Sequence, residues 1–118
     1  MRTNIEKGKY GENVAKKYLL NKGYKILETN YRNKIGEIDI ISLDKGVLVF
    51  IEVKTRTSTS FGYAFEAVNY KKQRKIYNTS TIYVKQKRLS NIQLRYDIIE
   101  VYLTNKVNIN HIENAFCL

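Results

Sequence analysis

Two neighbouring segments constrain the fold more than any other feature of the chain, because together they predict a β-hairpin. Residues 37–43 and 47–54 are rich in Ile, Val, Leu and Phe, and each has the length of a single strand. Lys45 and Gly46 form a two-residue loop between them, and glycine readily adopts the positive φ that such loops need. By alternation, one face holds the apolar pairs Ile41–Phe50 and Leu43–Leu48, and the other holds Ile38, Ile40, Val49, Ile51 and Val53.

The charged residues of this hairpin gather at its open end. The same register places Asp39 opposite Glu52, and Glu37 opposite Lys54. Directly opposed side chains have Cβ atoms ~4.5–5.5 Å apart, and like charges at that separation are destabilising. Either one carboxyl group keeps its proton or a cation lies between the two. Oxygen ligands of this kind suit Mg²⁺ or Mn²⁺, so the pair predicts a divalent metal site.

The rest of the chain predicts one α/β domain spanning residues 1–118, with a mixed sheet and helices on its faces. The element order is α-β-β-β-α-β-β, and the helix before the fourth strand favours a crossover to a parallel neighbour. Gly23 occupies the position of a helix C′ glycine. The predicted elements outside the hairpin are a helix at Tyr10–Lys22, a strand at Tyr24–Thr29, a turn at 30–34, a loop at Thr57–Tyr63, a helix at Phe65–Val84, and strands at Leu94–Leu103 and Val107–Ile112.

Charge and composition favour a polyanionic partner. The formal net charge is +10, from 21 Lys and Arg against 11 Asp and Glu, and nucleic acid is the commonest partner of such a surface. The longest apolar run, Val47–Ile51, is too short to span a bilayer, and the first ten residues lack the apolar stretch of a signal peptide. The single cysteine, Cys117, excludes an intrachain disulfide. We therefore expect a cytoplasmic protein that does not associate with membranes.

The clustering of scarce acidic residues in a basic chain predicts two separate sites, one for a polyanion and one for a metal ion. Glu37, Asp39 and Glu52 gather in the hairpin, and Glu12 of the first helix is a candidate to join them. A basic surface would hold a polyanion, while these acidic residues, the acidic notch, would hold a metal ion that promotes its cleavage. The alternative is a solvated sheet edge with incidental charge.

Basic residues near this notch are candidates for phosphate contacts, which position a nucleic acid without reading its sequence. Lys72 and Lys75 lie one turn apart on the second predicted helix and share a face. A solvated helix face is the alternative for each of them. Two arginines lie close by in sequence, one in the turn before the hairpin and one just after Lys54. The predicted nucleic-acid-binding residues are Arg32, Arg56, Lys72 and Lys75.

Two other chemically capable residues are predicted to be structural. Asp97 follows Arg95 on a strong strand and is expected to partner that arginine or a backbone group. His111 is the only histidine, and the chain offers it no clear serine or cysteine nucleophile, so a structural or surface position is expected. Most of the ten tyrosines stand at spacings typical of a core.

Several motifs together resemble a known family. Asp39 followed by Glu52-Val53-Lys54 resembles the motif of the PD-(D/E)XK nuclease superfamily, with Ile38 in place of its proline. A set of segments covering nearly the whole chain is similar to the bacterial YraN-like family of endonuclease-like proteins. These segments are GxxGExxAxxYL at 8–19, GYKIL, GEIDII, VFIEVKTR, FGYAFEAV, KQRKI, RYDII and HIENAF.

The resemblance implies a restriction-endonuclease-like αβββαβ core and relatives among Holliday-junction resolvases. It implies that Asp39 and Glu52 bind Mg²⁺ or Mn²⁺ and that Lys54 is the catalytic lysine. Glu12 matches a first-helix glutamate that joins the metal site, and Glu37 is an accessory acid. The implied activity is metal-dependent endonucleolytic hydrolysis of structured or single-stranded nucleic acid, with DNA favoured over RNA and a role in DNA repair or recombination.

Three functional hypotheses follow. The first is this nuclease, and the second is a nucleic-acid-binding protein that keeps the fold without cutting. A protein scaffold is the third, but it leaves the charge of +10 unexplained. A resolvase must cut two strands symmetrically, so a homodimer is expected for that role.

Overall fold

The computed structural model describes residues 3–57 and 68–117, and within them the chain forms one mixed sheet with a helix on each face. The strands lie in the order β1-β2-β3-β4-β5, with β3 and β4 parallel and the other neighbours antiparallel. The predicted α/β class, element order and mixed sheet are confirmed. The elements are α1 (Asn4–Asn21), β1 (Lys25–Arg32), β2 (Glu37–Asp44), β3 (Val47–Arg56), α2 (Tyr70–Gln86), β4 (Gln93–Leu103) and β5 (Val107–Ile112).

The boundaries of three elements differ most from the prediction, and those of β2, β3 and β4 differ by one or two residues. Helix α1 starts a turn and a half earlier, because Thr3 caps it by accepting a hydrogen bond from the Glu6 backbone N–H at 3.1 Å. Strand β1 continues into the predicted turn as far as Arg32, since Asn30 tolerates its φ of 52° and pairing resumes beyond it. Helix α2 begins after the N-cap Asn69. The predicted start at Phe65 and most of the predicted loop at 57–63 lie outside the described residues.

The hairpin turn and the inner half of its ladder are as predicted. Lys45 and Gly46 have φ values of 49° and 84°, the positive values of a tight hairpin loop. Leu43 pairs with Leu48, and regular pairing continues as far as Ile40 and Ile51.

Beyond Ile40 the two strands separate, and the predicted cross-strand pairs Asp39–Glu52 and Glu37–Lys54 do not form in the ladder. Strand β2 stays paired with β1 instead, where Glu37 faces Arg32. The predicted division of faces is also wrong here, because Ile38 packs in the same cluster as Ile41 rather than with Ile40.

Each face of the sheet supports its own apolar core. Strand β3 contributes to both cores, so the middle of that strand is buried on both sides. Neither helix in the described part of the chain has the length and apolarity needed to cross a membrane. The core under α2 is built on Ile38, Ile41, Leu48, Phe50, Val68, Ile76, Tyr83, Tyr96, Ile98 and Phe116, and the core under α1 on Ala15, Leu19, Tyr24, Ile40, Val49, Ile51, Ile99 and Val101.

A buried polar network joins strands β4 and β5 to α1. The Asp97 carboxylate accepts hydrogen bonds from Arg95 Nε at 2.9 Å and from the Asn114 backbone N–H at 2.9 Å. His111 Nε2 lies 2.8 Å from the same carboxylate, and its Nδ1 lies 3.1 Å from the Tyr18 hydroxyl. Burial acts to raise the pKa of Asp97, but these hydrogen bonds outweigh burial and hold it below its usual value. The expected pairing of Asp97 with Arg95 is confirmed.

A close helix–strand contact sets the position of α1 over β3. Gly11 is buried, and a Cβ there would overlap Thr55 Oγ1 and lie 3.1 Å from Thr55 Cβ. The missing side chain therefore lets the helix approach the end of β3. Glu12, the next residue, is carried to the same end of the sheet.

Two glycine substitutions in α1 test this contact. Gly8→Ala should raise the free energy of unfolding by about 0.5–1 kcal/mol, because nothing lies within 4 Å of the added Cβ and alanine favours helix. Gly11→Ala should lower it by about 1–3 kcal/mol, because overpacking outweighs the same gain. Urea unfolding measures both values. Equal stabilisation by the two substitutions would contradict the close contact.

Candidate active site

The centre of the site is a pair of buried carboxyl groups where β2 leaves β3. Asp39 and Glu52 are only 9% and 8% exposed. Asp39 Oδ2 accepts a hydrogen bond from the Val53 backbone N–H at 2.8 Å, which replaces the ladder pairing lost at this point. Burial, together with the negative charge of Glu52, raises the pKa of Asp39 to about 8. The strand separation thus makes room for two neighbouring carboxyl groups.

Two lysines from different elements approach Glu52. Lys54 Nζ lies 3.7 Å from Glu52 Oε2, and Lys72 Nζ lies 2.7 Å from the same oxygen. Burial lowers the pKa of Lys54, and the positive charge of Lys72 adds to that effect against the attraction of Glu52. Burial also acts to lower the pKa of Lys72, but the hydrogen bond and charge of Glu52 prevail and raise it. The two cations make the buried Glu52 tolerable.

Glu12 reaches this region from α1. It lines one cavity of about 330 Å³ together with Lys54, and another of about 60 Å³ together with Asp39. Burial raises the pKa of Glu12, and the charges of Glu37 and Glu52 raise it further, against a hydrogen bond with Asn30. The predicted set Glu12, Asp39, Glu52 and Lys54 is therefore brought to one end of the sheet.

The donor set fits a hard divalent cation held partly by solvent. Among residues 3–57 and 68–117, no three carboxylate, imidazole or thiol side chains lie close enough to bind one cation together. Mg²⁺ commonly takes one or two protein carboxylates and fills its other positions with water and phosphate oxygens. Asp39 and Glu52 meet that requirement, and a cation between them would remove the repulsion that burial intensifies.

The predicted phosphate contacts divide into two groups. Arg32, Lys72 and Lys75 line one groove of about 400 Å³ between the β1–β2 turn and α2. Arg32 also forms an ion pair of 2.6 Å with Glu37, the acid that was predicted to face a lysine. Arg56 is turned away from this groove, with Nε 3.6 Å from the buried carboxylate of Glu100.

Two features of the site were not predicted. Lys72 was expected only to contact phosphate. Its ion pair with Glu52 was not predicted, because it depends on how α2 lies across the sheet. Glu100 was not singled out, yet it is 1% exposed and hydrogen-bonds to Tyr102 and Asn110 at 2.8 and 3.0 Å. Its sequence signal was a second acid, after Asp97, inside a largely apolar strand, and the parallel register of the structure pairs it with Lys54.

Comparison with known proteins places the chain in a family. Residues 11–101 match the family described as "Uncharacterised protein family UPF0102". The chain belongs to the UPF0102 family. The YraN-like family inferred from the motifs is this same family, so the family identification is confirmed.

UPF0102 proteins from three bacteria align with nearly the whole chain. One from Clostridioides difficile (strain 630) is 53% identical over 113 residues, covering 96% of this chain and 98% of the relative. One from Caldanaerobacter subterraneus is 50% identical over 113 residues, covering 92% and 93%. One from Persephonella marina is 46% identical over 112 residues, covering 95% and 94%. None of these names states a reaction.

The buried carboxyl pair predicts a particular dependence of stability on pH in metal-free buffer. The folded state raises the pKa of Asp39 from 3.8 to about 8, so the folded protein holds a proton that the unfolded chain releases. The free energy of unfolding of the wild type should therefore fall, relative to Asp39→Asn, as the pH rises from about 4 to about 8. We expect a relative change of at least about 1 kcal/mol.

Urea unfolding with chelator at several pH values measures this difference. Glu28→Gln is the matched control, because Glu28 is a more exposed carboxylate 3.7 Å from Lys87 on the surface. A difference between wild type and Asp39→Asn that stays constant across this pH range would contradict the buried pair.

Proposed function

We propose that this protein is a metal-dependent nuclease that hydrolyses phosphodiester bonds of nucleic acid, with DNA favoured over RNA. The observation that carries the proposal is the buried pair of Asp39 and Glu52, with Lys54 Nζ 3.7 Å from the Glu52 carboxylate. Two carboxyl groups buried side by side oppose each other's ionisation, and a basic protein has little structural use for such a pair. The two groups suit a site that binds a cation beside a phosphate.

The carboxylates would hold the metal. Asp39 and Glu52 would bind Mg²⁺ or Mn²⁺, with the backbone carbonyl of Val53 as a further oxygen donor. When bound, such a cation lowers the pKa of a water ligand and polarises a phosphoryl oxygen. The Val53 N–H fixes the orientation of the Asp39 carboxyl through its 2.8 Å hydrogen bond.

Lys54 and Glu12 would act on the reacting groups themselves. The Lys54 ammonium would neutralise charge that grows on the phosphoryl oxygens, or orient the attacking water. Partial burial strengthens that interaction, because fewer waters screen it. The Glu12 carboxylate faces the cavity that it shares with Lys54, where it could accept the proton of that water. This assignment needs no covalent intermediate.

The charge of α2 supports a polyanionic substrate. The helix contains no acidic residue, and its first two turns carry Lys71, Lys72, Arg74 and Lys75. Positive charge near a helix N-terminus opposes the helix dipole and is unfavourable without an anion nearby. Glu52 satisfies only Lys72 in this group. Phosphates in the adjacent groove would offset the remaining charge.

The resemblance to PD-(D/E)XK nucleases supports the same reaction. The residues that match that motif come from separate strands and from α1, yet they meet at one end of the sheet. The family match itself is silent about reaction, so activity must be measured.

Two substitutions test the proposed chemistry directly. Labelled single strand, duplex, nicked duplex, flap and four-way junction DNA would each be incubated with Mg²⁺, Mn²⁺ or chelator. We expect cleavage with metal only, and a loss of at least ~100-fold in Glu52→Gln and in Lys54→Met, because each removes a group that acts in the transition state. Glu28→Gln should retain activity within about twofold, since its carboxylate belongs to a surface ion pair.

Cleavage that survives both substitutions would contradict the assigned residues. Binding without cleavage in either metal would favour the alternative hypothesis, a nucleic-acid-binding protein that does not cut.

A further inference from the structure

The β1–β2 turn, residues 33–36, is a preformed loop anchored to α2. The Asn33 side-chain oxygen accepts hydrogen bonds from the backbone N–H groups of Ile35 at 2.9 Å and Gly36 at 3.4 Å. Its side-chain amide donates to the Thr79 carbonyl of α2 at 3.3 Å and to the Tyr31 hydroxyl at 3.0 Å. The turn is therefore fixed before any ligand arrives.

Close packing at Gly36 brings this turn against the helix. A Cβ at Gly36 would lie 3.2 Å from Lys75 Cε and 3.0 Å from Thr79 Oγ1. These distances are shorter than ordinary van der Waals contacts, so only glycine fits without a shift of its neighbours. The turn and the first half of α2 thus form the two walls of the groove of about 400 Å³.

Ile35 is a partly exposed apolar side chain in a groove whose lining carries four basic residues and one acid, Glu37, which is paired with Arg32. The other isoleucine of the lining, Ile76, is buried. Ile35 is 37% exposed, lines the groove, and is flanked in the turn by Lys34. Lys75 faces the same space from α2. A groove for phosphate alone gains nothing from an isoleucine, whereas a nucleotide presents both an anionic phosphate and an apolar base face.

The groove adjoins the proposed reaction centre through one shared side chain, Lys72. Lys72 lines the groove and also lies 2.7 Å from Glu52 Oε2. A strand that is cleaved beside Glu52 would therefore place its next nucleotide in this groove. The groove volume falls at the lower end of the range for small-ligand sites, roughly 300–1,000 Å³.

We propose that the groove is a subsite for one unpaired nucleotide next to the cleaved phosphate, with the base against Ile35 and the phosphate held by Lys34 and Lys75. The assignment rests on the proposed nuclease function and names its substrate class. In a continuous duplex each base is stacked between its neighbours, so no base face can reach Ile35. The preferred substrate is then a single strand, or a branched DNA with an unpaired nucleotide at the cut.

Binding measured in chelator tests the subsite without requiring cleavage. Fluorescence anisotropy would compare a labelled single-stranded DNA with a perfect duplex of the same sequence. Ile35→Ser should weaken single-strand binding about fivefold, the lower end of the effect of losing one base contact, and change duplex binding less than twofold. Ile35→Leu should keep the preference of the wild type. Leu20→Ser is the matched control, because Leu20 is an exposed apolar residue, 51% exposed, on α1.

The outcomes separate the subsite from the nuclease activity. A selective loss of single-strand binding in Ile35→Ser supports the subsite, even if no metal supports cleavage and the nuclease proposal falls. Equal effects of Ile35→Ser on the two DNAs, no effect on either, or no binding by the wild type would overturn the subsite. Circular dichroism melting of each variant checks that a loss of binding is not a loss of folding.

Discussion

The repulsion between two buried carboxyl groups, Asp39 and Glu52, is the interaction on which the site depends. The separation of β2 from β3 makes room for the pair, and the Val53 N–H fixes one member. Lys54 and Lys72 compensate the other. Removing both lysines would leave the Glu52 charge buried without a partner, which is among the more destabilising defects of a protein interior.

The surrounding basic surface offers a physical reason for keeping the unfavourable Asp39–Glu52 pair. A chain of net charge +10 attracts polyanions but does not by itself place them. The acidic pair breaks the positive surface at one point, where a divalent cation and a phosphate would satisfy each other's charge. The close approach of α1 at Gly11 and of the β1–β2 turn at Gly36 then determines which side chains surround that point.

Local sequence patterns were sufficient for the hairpin and for the class of fold. The alternation of apolar residues and the Lys45-Gly46 loop determine the register near the turn, because both act over a few residues. The end of the ladder was not predictable in this way. Strand β2 follows β1 beyond Ile40, and that choice depends on tertiary packing, such as that of Ile38 under α2. The repulsion between Asp39 and Glu52 was nevertheless predicted from the sequence, because it requires only that the two strands lie close together and not that the two residues pair in the ladder.

We infer that the Asp39–Glu52 pair exists to bind a divalent cation. Electron paramagnetic resonance of Mn²⁺ at pH 8, without nucleic acid, tests this most directly, because free Mn²⁺ is counted apart from bound Mn²⁺. We expect saturable Mn²⁺ binding by the wild type that is lost in Glu52→Gln and retained in Glu28→Gln. No saturable binding by the wild type, or equal binding by all three proteins, would contradict it.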